Sequence, residues 1–170
     1  MARLVGAGGL VGVLFALGMS ASCAQQLSAS AEIKNAEGES VGTVTLESVD
    51  RGTLVHAVFD GLAPGTHGFH VHTTGQCAPS FDAAGGHFNP AGGTHGFKSQ
   101  NGPHAGDLPN IFVPESGALE IEFYSTGLTL DDSLFDADGA AIVVHAGPDD
   151  YATDPSGDSG ARIACGVLQR

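Results

Sequence analysis

A chain of 170 residues, with 26 glycines, nine phenylalanines and no tryptophan, has room for one domain built around one core. Six Lys and Arg stand against nineteen Asp and Glu, a formal charge of -13, so the clustered bases that nucleic-acid binding requires are missing. Short alternating apolar stretches between turn residues, with almost no helical periodicity, predict an all-β protein.

The chain opens on a segment that reads as an export signal. Arg3 gives a short positive region, residues 4–17 are apolar and rich in glycine, and the small residues Ser20, Ala21 and Ser22 follow. The span is short for a membrane crossing. Cys23 comes directly after the small residues, as in a bacterial lipoprotein signal, and is the expected lipidation site; ordinary cleavage after Ala24 is the alternative. The expected product is an exported protein, periplasmic or at the cell surface, held to a membrane through a lipid on Cys23. Two cysteines, Cys77 and Cys165, remain beyond this segment, and in an oxidising compartment an even set is expected to pair.

Residues 24–30 read as a polar tether, and a single domain is expected over 31–170. Strands are predicted at 31–34 and 41–46, joined through Asn35-Ala36-Glu37-Gly38, a turn in which the glycine can take a positive φ. A third strand follows at 54–59, and the turn Gly61-Leu62-Ala63-Pro64-Gly65 leads into a fourth at 68–72. Residues 73–110 lose all periodicity, and so long an irregular stretch inside a compact domain is usually functional. Alternation returns at 119–123, a more continuously apolar strand is predicted at 140–145, and a second irregular stretch, 146–161, precedes a closing strand at 162–168.

Histidines carry the chemistry. His70 and His72 are two apart on a strand and share a face, a spacing that suits copper or zinc. His87, His95, His104 and Asp107 offer three imidazoles and a carboxylate within one glycine-rich loop, a full tetrahedral set for zinc. His145 ends an apolar strand, where it can complete a second site. His56 and His67 read as structural. A zinc hydrolase is disfavoured because no His-Glu-x-x-His run accompanies these residues.

Four segments together resemble the copper/zinc superoxide dismutase family: Gly68-Phe69-His70-Val71-His72, Gly86-His87-Phe88-Asn89-Pro90, His104-Ala105-Gly106-Asp107-Leu108 and Gly160-Ala161-Arg162-Ile163-Ala164-Cys165-Gly166-Val167. The resemblance spans roughly residues 31–168. It implies an antiparallel Greek-key β-barrel or sandwich with two long functional loops, which dismutes superoxide to dioxygen and hydrogen peroxide. Copper would be held by His70, His72, His87 and His145, and zinc by His87, His95, His104 and Asp107, with His87 bridging the two. Arg162 would guide the anion and act with His87 in catalysis, Asp149 would tie His70 to His95, and Cys77 would pair with Cys165. A homodimer is an open arrangement. The rival reading is a non-catalytic periplasmic copper and zinc binding protein, against which Arg162 argues, since a metal store needs no anion-guiding cation.

Overall fold

The computed structural model describes residues 26–170 together with Met1; the export segment and Cys23 lie outside the described residues. Nine strands follow one another: β1 Ser28–Asn35, β2 Ser40–Val49, β3 Gly52–Asp60, β4 Gly65–His67, β5 Phe69–His72, β6 Ile111–Val113, β7 Ala118–Ser125, β8 Ala141–His145 and β9 Arg162–Val167. One 3-10 turn, Phe81–Ala84, interrupts the first long loop, and no α-helix occurs among the described residues.

Seven strands form one antiparallel sheet in the order β5-β8-β9-β1-β2-β3-β7, while β4 and β6 pair separately. β9 lies beside β1 and β7 beside β3, so strands far apart in sequence are neighbours joined by long connections, as Greek-key topology requires. The expected all-β Greek-key class is therefore the observed one.

Alternation in the sequence decides which side of each strand is buried. Ala29, Ala31 and Ile33 of β1 and Thr53, Val55, Ala57 and Phe59 of β3 turn inward, whereas the intervening residues face solvent or the rim. Across the core Phe69 meets Phe59 and Phe123 edge to face, with ring centroids 6.0 and 6.3 Å apart. Every residue of β8 is buried, as its unbroken apolar run implied. In the β1–β2 turn Gly38 adopts φ +83°, and Asn35 Oδ1 accepts the Glu37 and Glu39 N–H groups.

Three differences from the sequence expectations bear on the site. β1 begins at Ser28, inside the stretch that reads as a tether, because Ala29 packs into the core and Ser30 bridges to Gln169. Residues 65–67 form their own short strand against β6, a pairing that leaves no recognisable pattern in the sequence. Finally, the first irregular loop does not float: it covers the free edge of β5. Val71 donates its N–H to Gly106 O at 2.9 Å, Phe88 N–H donates to Val71 O at 2.8 Å, and isolated bridges join His72 to His87 and His70 to Asp107. Gly106 makes this possible, since a Cβ there would collide with Val71 O.

Candidate metal centre

β5 presents His70 and His72, β8 ends on His145, and the loop laid along the β5 edge supplies His87, His95, His104 and Asp107. These side chains form two buried groups, His70-His72-His87-His145 and His87-His95-His104-Asp107, within each of which the candidate ligand atoms lie within 4.8 Å of one another. His87 belongs to both. Its ring centroid is 4.0 Å from that of His70, 4.9 Å from His72 and 5.1 Å from His95.

The tautomers follow from what each ring touches, because a backbone carbonyl can only accept a proton. His72 Nδ1–H donates to Gly85 O at 2.9 Å and His145 Nδ1–H to Gly160 O at 3.2 Å, leaving both Nε2 atoms as acceptors. His70 Nε2–H donates to Asp149 Oδ2 at 2.8 Å, leaving Nδ1. Together with His87 Nε2 these are buried nitrogens with no hydrogen-bond partner among the described residues. An unsatisfied buried acceptor costs about 1–3 kcal/mol, so four aimed at one point would be a large penalty unless something binds there. Lone pairs on four imidazoles fit a copper ion.

The second group is built around one carboxylate oxygen. Asp107 Oδ2 is taken by the N–H groups of Gly96 and His104 at 2.8 and 2.9 Å, which turns Oδ1 toward three ring nitrogens. His87 Nδ1 is 2.8 Å away, His95 Nδ1 3.0 Å, and His104 Nδ1 3.3 Å without hydrogen-bond geometry. Three nitrogens and one oxygen in a closed, buried cluster fit tetrahedral zinc.

Electrostatics agree with ligation. Burial pushes His70 and His145 down to about 4 and His72 to about 2, and it lowers His87 as well, so the rings are neutral at ordinary pH; His70, His72 and His145 can each offer a lone pair without losing a proton, whereas His87 would have to give up its Nδ1 proton to serve both groups. Burial alone would raise Asp107, but the hydrogen bonds from His87 and the Gly96 N–H and the field of the neighbouring rings outweigh it and hold the carboxyl ionised. The Asp149 carboxylate, fully buried, accepts from His70 Nε2–H on one oxygen and from His95 Nε2–H on the other at 2.9 Å.

Arg162 leads off β9 at the rim. It lines a cleft of about 480 Å³ together with His72, His87 and His145. Its Nη1 donates to Phe81 O and its Nη2 to Gly85 O, both at 2.7 Å, and Asp82 lies 3.9 Å from Nε. Cys77 is disulfide-bonded to Cys165, as expected, with Cα atoms 5.8 Å apart. The bond fastens the loop bearing Phe81 and Gly85 to β9. His67 and His56 stand apart from both groups: His67 is held by the carbonyls of His145 and Ala63, and His56 meets Glu120 on the outer face.

Gly85 and Asp154 are among the contributors that sequence reasoning missed. Gly85 serves through its carbonyl, shared by His72 and Arg162, and a backbone oxygen leaves no mark in a sequence. Asp154 lines the cleft, accepts the His95 N–H at 2.8 Å and lies 3.9 Å from His104 Nε2; among the acidic residues of its loop nothing distinguished it.

An antiparallel β fold in which the edge strand β5, its neighbour β8 and the covering loop bring together two sets of potential metal ligands sharing one histidine has the makings of a two-metal centre. The family model described as copper/zinc superoxide dismutase (SODC) matches residues 40–168. The protein named superoxide dismutase [Cu-Zn] 2 of Aquifex aeolicus is 44% identical over 157 residues, which cover 89% of this chain and 92% of that one. Among solved structures, a SOD-like protein from Bacillus subtilis superposes with a TM-score of 0.78 at 39% identity, covering 82% of this chain and 97% of that one. The Cu/Zn superoxide dismutase from Brucella abortus gives 0.71 at 30% identity, covering 84% and 100%. The chain belongs to the copper/zinc superoxide dismutase family.

Proposed function

We propose that this protein dismutes superoxide, with copper held by His70, His72, His87 and His145 and zinc by His87, His95, His104 and Asp107. The observation that carries the reading is the set of partnerless ring nitrogens, His70 Nδ1, His72 Nε2, His87 Nε2 and His145 Nε2, converging beside a cleft that Arg162 lines. Copper held there would supply a one-electron couple through which one superoxide is oxidised to dioxygen and a second, with two protons, is reduced to hydrogen peroxide, while zinc would supply no redox change. His87 faces both groups, Nδ1 toward Asp107 and Nε2 toward the copper set, so Nε2 is the atom at which a proton can be held and passed on. Arg162 draws the anion into the cleft and donates to it; its guanidinium is aimed by two carbonyls and needs no reorganisation. Asp149 fixes the rings of His70 and His95 at once. A metal store would make no use of a preoriented cation beside the copper set, which disfavours the non-catalytic alternative.

Superoxide consumption by the purified protein, followed before copper removal, after it and after restoration, tests the reading. Activity is expected to vanish and return, and His72→Ala is expected to lose it while zinc is retained. Full turnover without copper would sink the assignment.

Export and anchoring belong to the same reading. The apolar stretch 4–17 and the small residues before Cys23 support secretion of the mature domain with a lipid on Cys23. Cys23→Ala is expected to move the protein from the membrane to the soluble fraction; unchanged partitioning would favour cleavage after Ala24.

A further inference from the structure

Asp149 links the two ligand groups, yet it lies on a segment with no regular secondary structure, so its carboxylate must be aimed by something else. Asn110, in the other loop and three residues after Asp107, holds it. The Asp149 N–H donates to Asn110 Oδ1 at 2.8 Å, and Asn110 Nδ2–H donates to Asp149 O at 2.8 Å. One carboxamide thus reproduces a rung of β-ladder between two irregular strands of chain. The Asn110 N–H in turn donates to the Tyr151 hydroxyl at 2.8 Å, while the Tyr151 N–H donates to Asp149 Oδ1 at 2.6 Å. Tyr151 has φ +63°, a conformation that costs a non-glycine residue free energy and that the surrounding contacts must hold. Its ring packs on Phe97 at 5.3 Å, and Gly96 admits its backbone, since a Cβ on Gly96 would collide with Tyr151 O.

We infer that Asn110 is a positioning residue: with Tyr151 it sets the Asp149 carboxylate, and through it couples the orientation of His70 in the copper set to the retention of His95 in the zinc set. The inference rests on the metal assignment proposed above. No other side chain of similar size offers the same pair of groups. Aspartate in place of Asn110 would keep the acceptor for Asp149 N–H but turn a second acceptor on Asp149 O, and alanine would leave both backbone groups without their partner.

The test reads metals rather than turnover. The full protein is loaded with copper and zinc, zinc release into excess chelator is timed, and the electron paramagnetic resonance lines of the copper are recorded. Asn110→Ala is expected to speed zinc release roughly tenfold and to shift the copper lines, as loss of an outer partner of metal ligands does. Asn110→Asp is expected to give no rescue. Tyr151→Phe, which removes one hydroxyl and little packing, is expected to move both readouts in the same direction by a smaller factor. In an Asp149→Asn background, adding Asn110→Ala is expected to change little, because its route has been removed. Equal effects of Asn110→Ala in both backgrounds, or unchanged readouts in both Asn110→Ala and Tyr151→Phe, would overturn the inference. Failure of the wild-type protein to take up either metal would overturn the metal assignment with it, and unaltered wild-type loading separates the two failures.

Discussion

At the scale of single residues, Arg162 carries a burden that its one charge does not suggest. The chain bears -13 and the proposed substrate is an anion, so the overall field opposes approach and attraction has to be local. Other described cations are engaged elsewhere. Lys34 pairs with Glu32 at 3.1 Å, Arg51 with Asp50 at 3.6 Å and Arg170 with Asp132 at 3.2 Å, while Lys98 donates to Asp150 O and lies over the Tyr151 ring. Arg162→Ala is therefore expected to lower the bimolecular rate roughly tenfold with both metals retained. Turnover of the wild type should fall as ionic strength rises, and the variant should show a flat or reversed dependence. Arg162→Lys should restore the salt dependence but not the full rate, because an ammonium cannot be held by Phe81 O and Gly85 O as a fork. Rate measurements over a salt series decide this, and an unchanged slope in Arg162→Ala would make the residue merely structural. The clustered histidines were legible in the sequence because imidazoles at spacings such as 70 and 72 have few uses. The backbone acceptors that orient them were not, since Gly85 and Gly160 act through atoms that every residue possesses.

Elements were readable to the extent that alternation was strict. β3 and β7 fell close to their expected bounds because one face of each is apolar, β9 did so on a continuous buried run at Ala164, Cys165 and Gly166, and β2 runs on to Val49, whereas β1 starts early on Ser28, Ala29 and Ser30, small residues with little pattern, and β4 and β6 are three residues each. The loop over the β5 edge was singled out by its histidines, but its role as a pseudo-strand depends on Gly106, whose close approach is a tertiary property. The disulfide is what fastens the far end of this loop. Cys77 and Cys165 are 88 residues apart, and closing so long a loop removes unfolded-state entropy equivalent to roughly 4–5 kcal/mol. Replacing both cysteines with serine is expected to lower the melting temperature by about 10 °C or more, read by calorimetry. Activity should fall further than unfolding explains, because Gly85 O, which orients both His72 and Arg162, is then held by its loop alone. Full activity in a folded double variant would show that the loop needs no such fastening.

For the whole molecule, the metal groups concentrate titratable side chains in the interior, and this couples folding to pH. His70, His72 and His145 are almost fully buried, and burial, the largest cause in each case, depresses them from 6.5 to about 4, about 2 and about 4; His87 is depressed too. A group whose folded pKa lies below its unfolded one is protonated first in the unfolded chain, so acid favours unfolding. Stability from these histidines is complete above pH 6.5 and drains away as pH falls toward 4. Between pH 6.5 and 5 each of the three costs roughly 1.5 kcal/mol, since the unfolded ring goes from half to almost fully protonated across that interval while the folded ring stays largely neutral. Asp107 is depressed as well, but its contribution is lost only below its ordinary value of 3.8 and lies outside this window. The metal-free protein is therefore expected to lose several kcal/mol between pH 7 and 5, and its melting temperature should drop steeply across that range. In the proposed assignment copper would bind the folded state through the neutral nitrogens of these rings, so the copper-loaded protein should melt higher at every pH in the range, with an advantage that shrinks as protons compete for the ligands. His145→Gln should make the metal-free protein less sensitive to acid by removing one of the depressed rings. A metal-free melting temperature that stays constant from pH 7 to 5 would mean that these histidines keep their solution pKa in the fold, and that the site opens to water when no metal holds it.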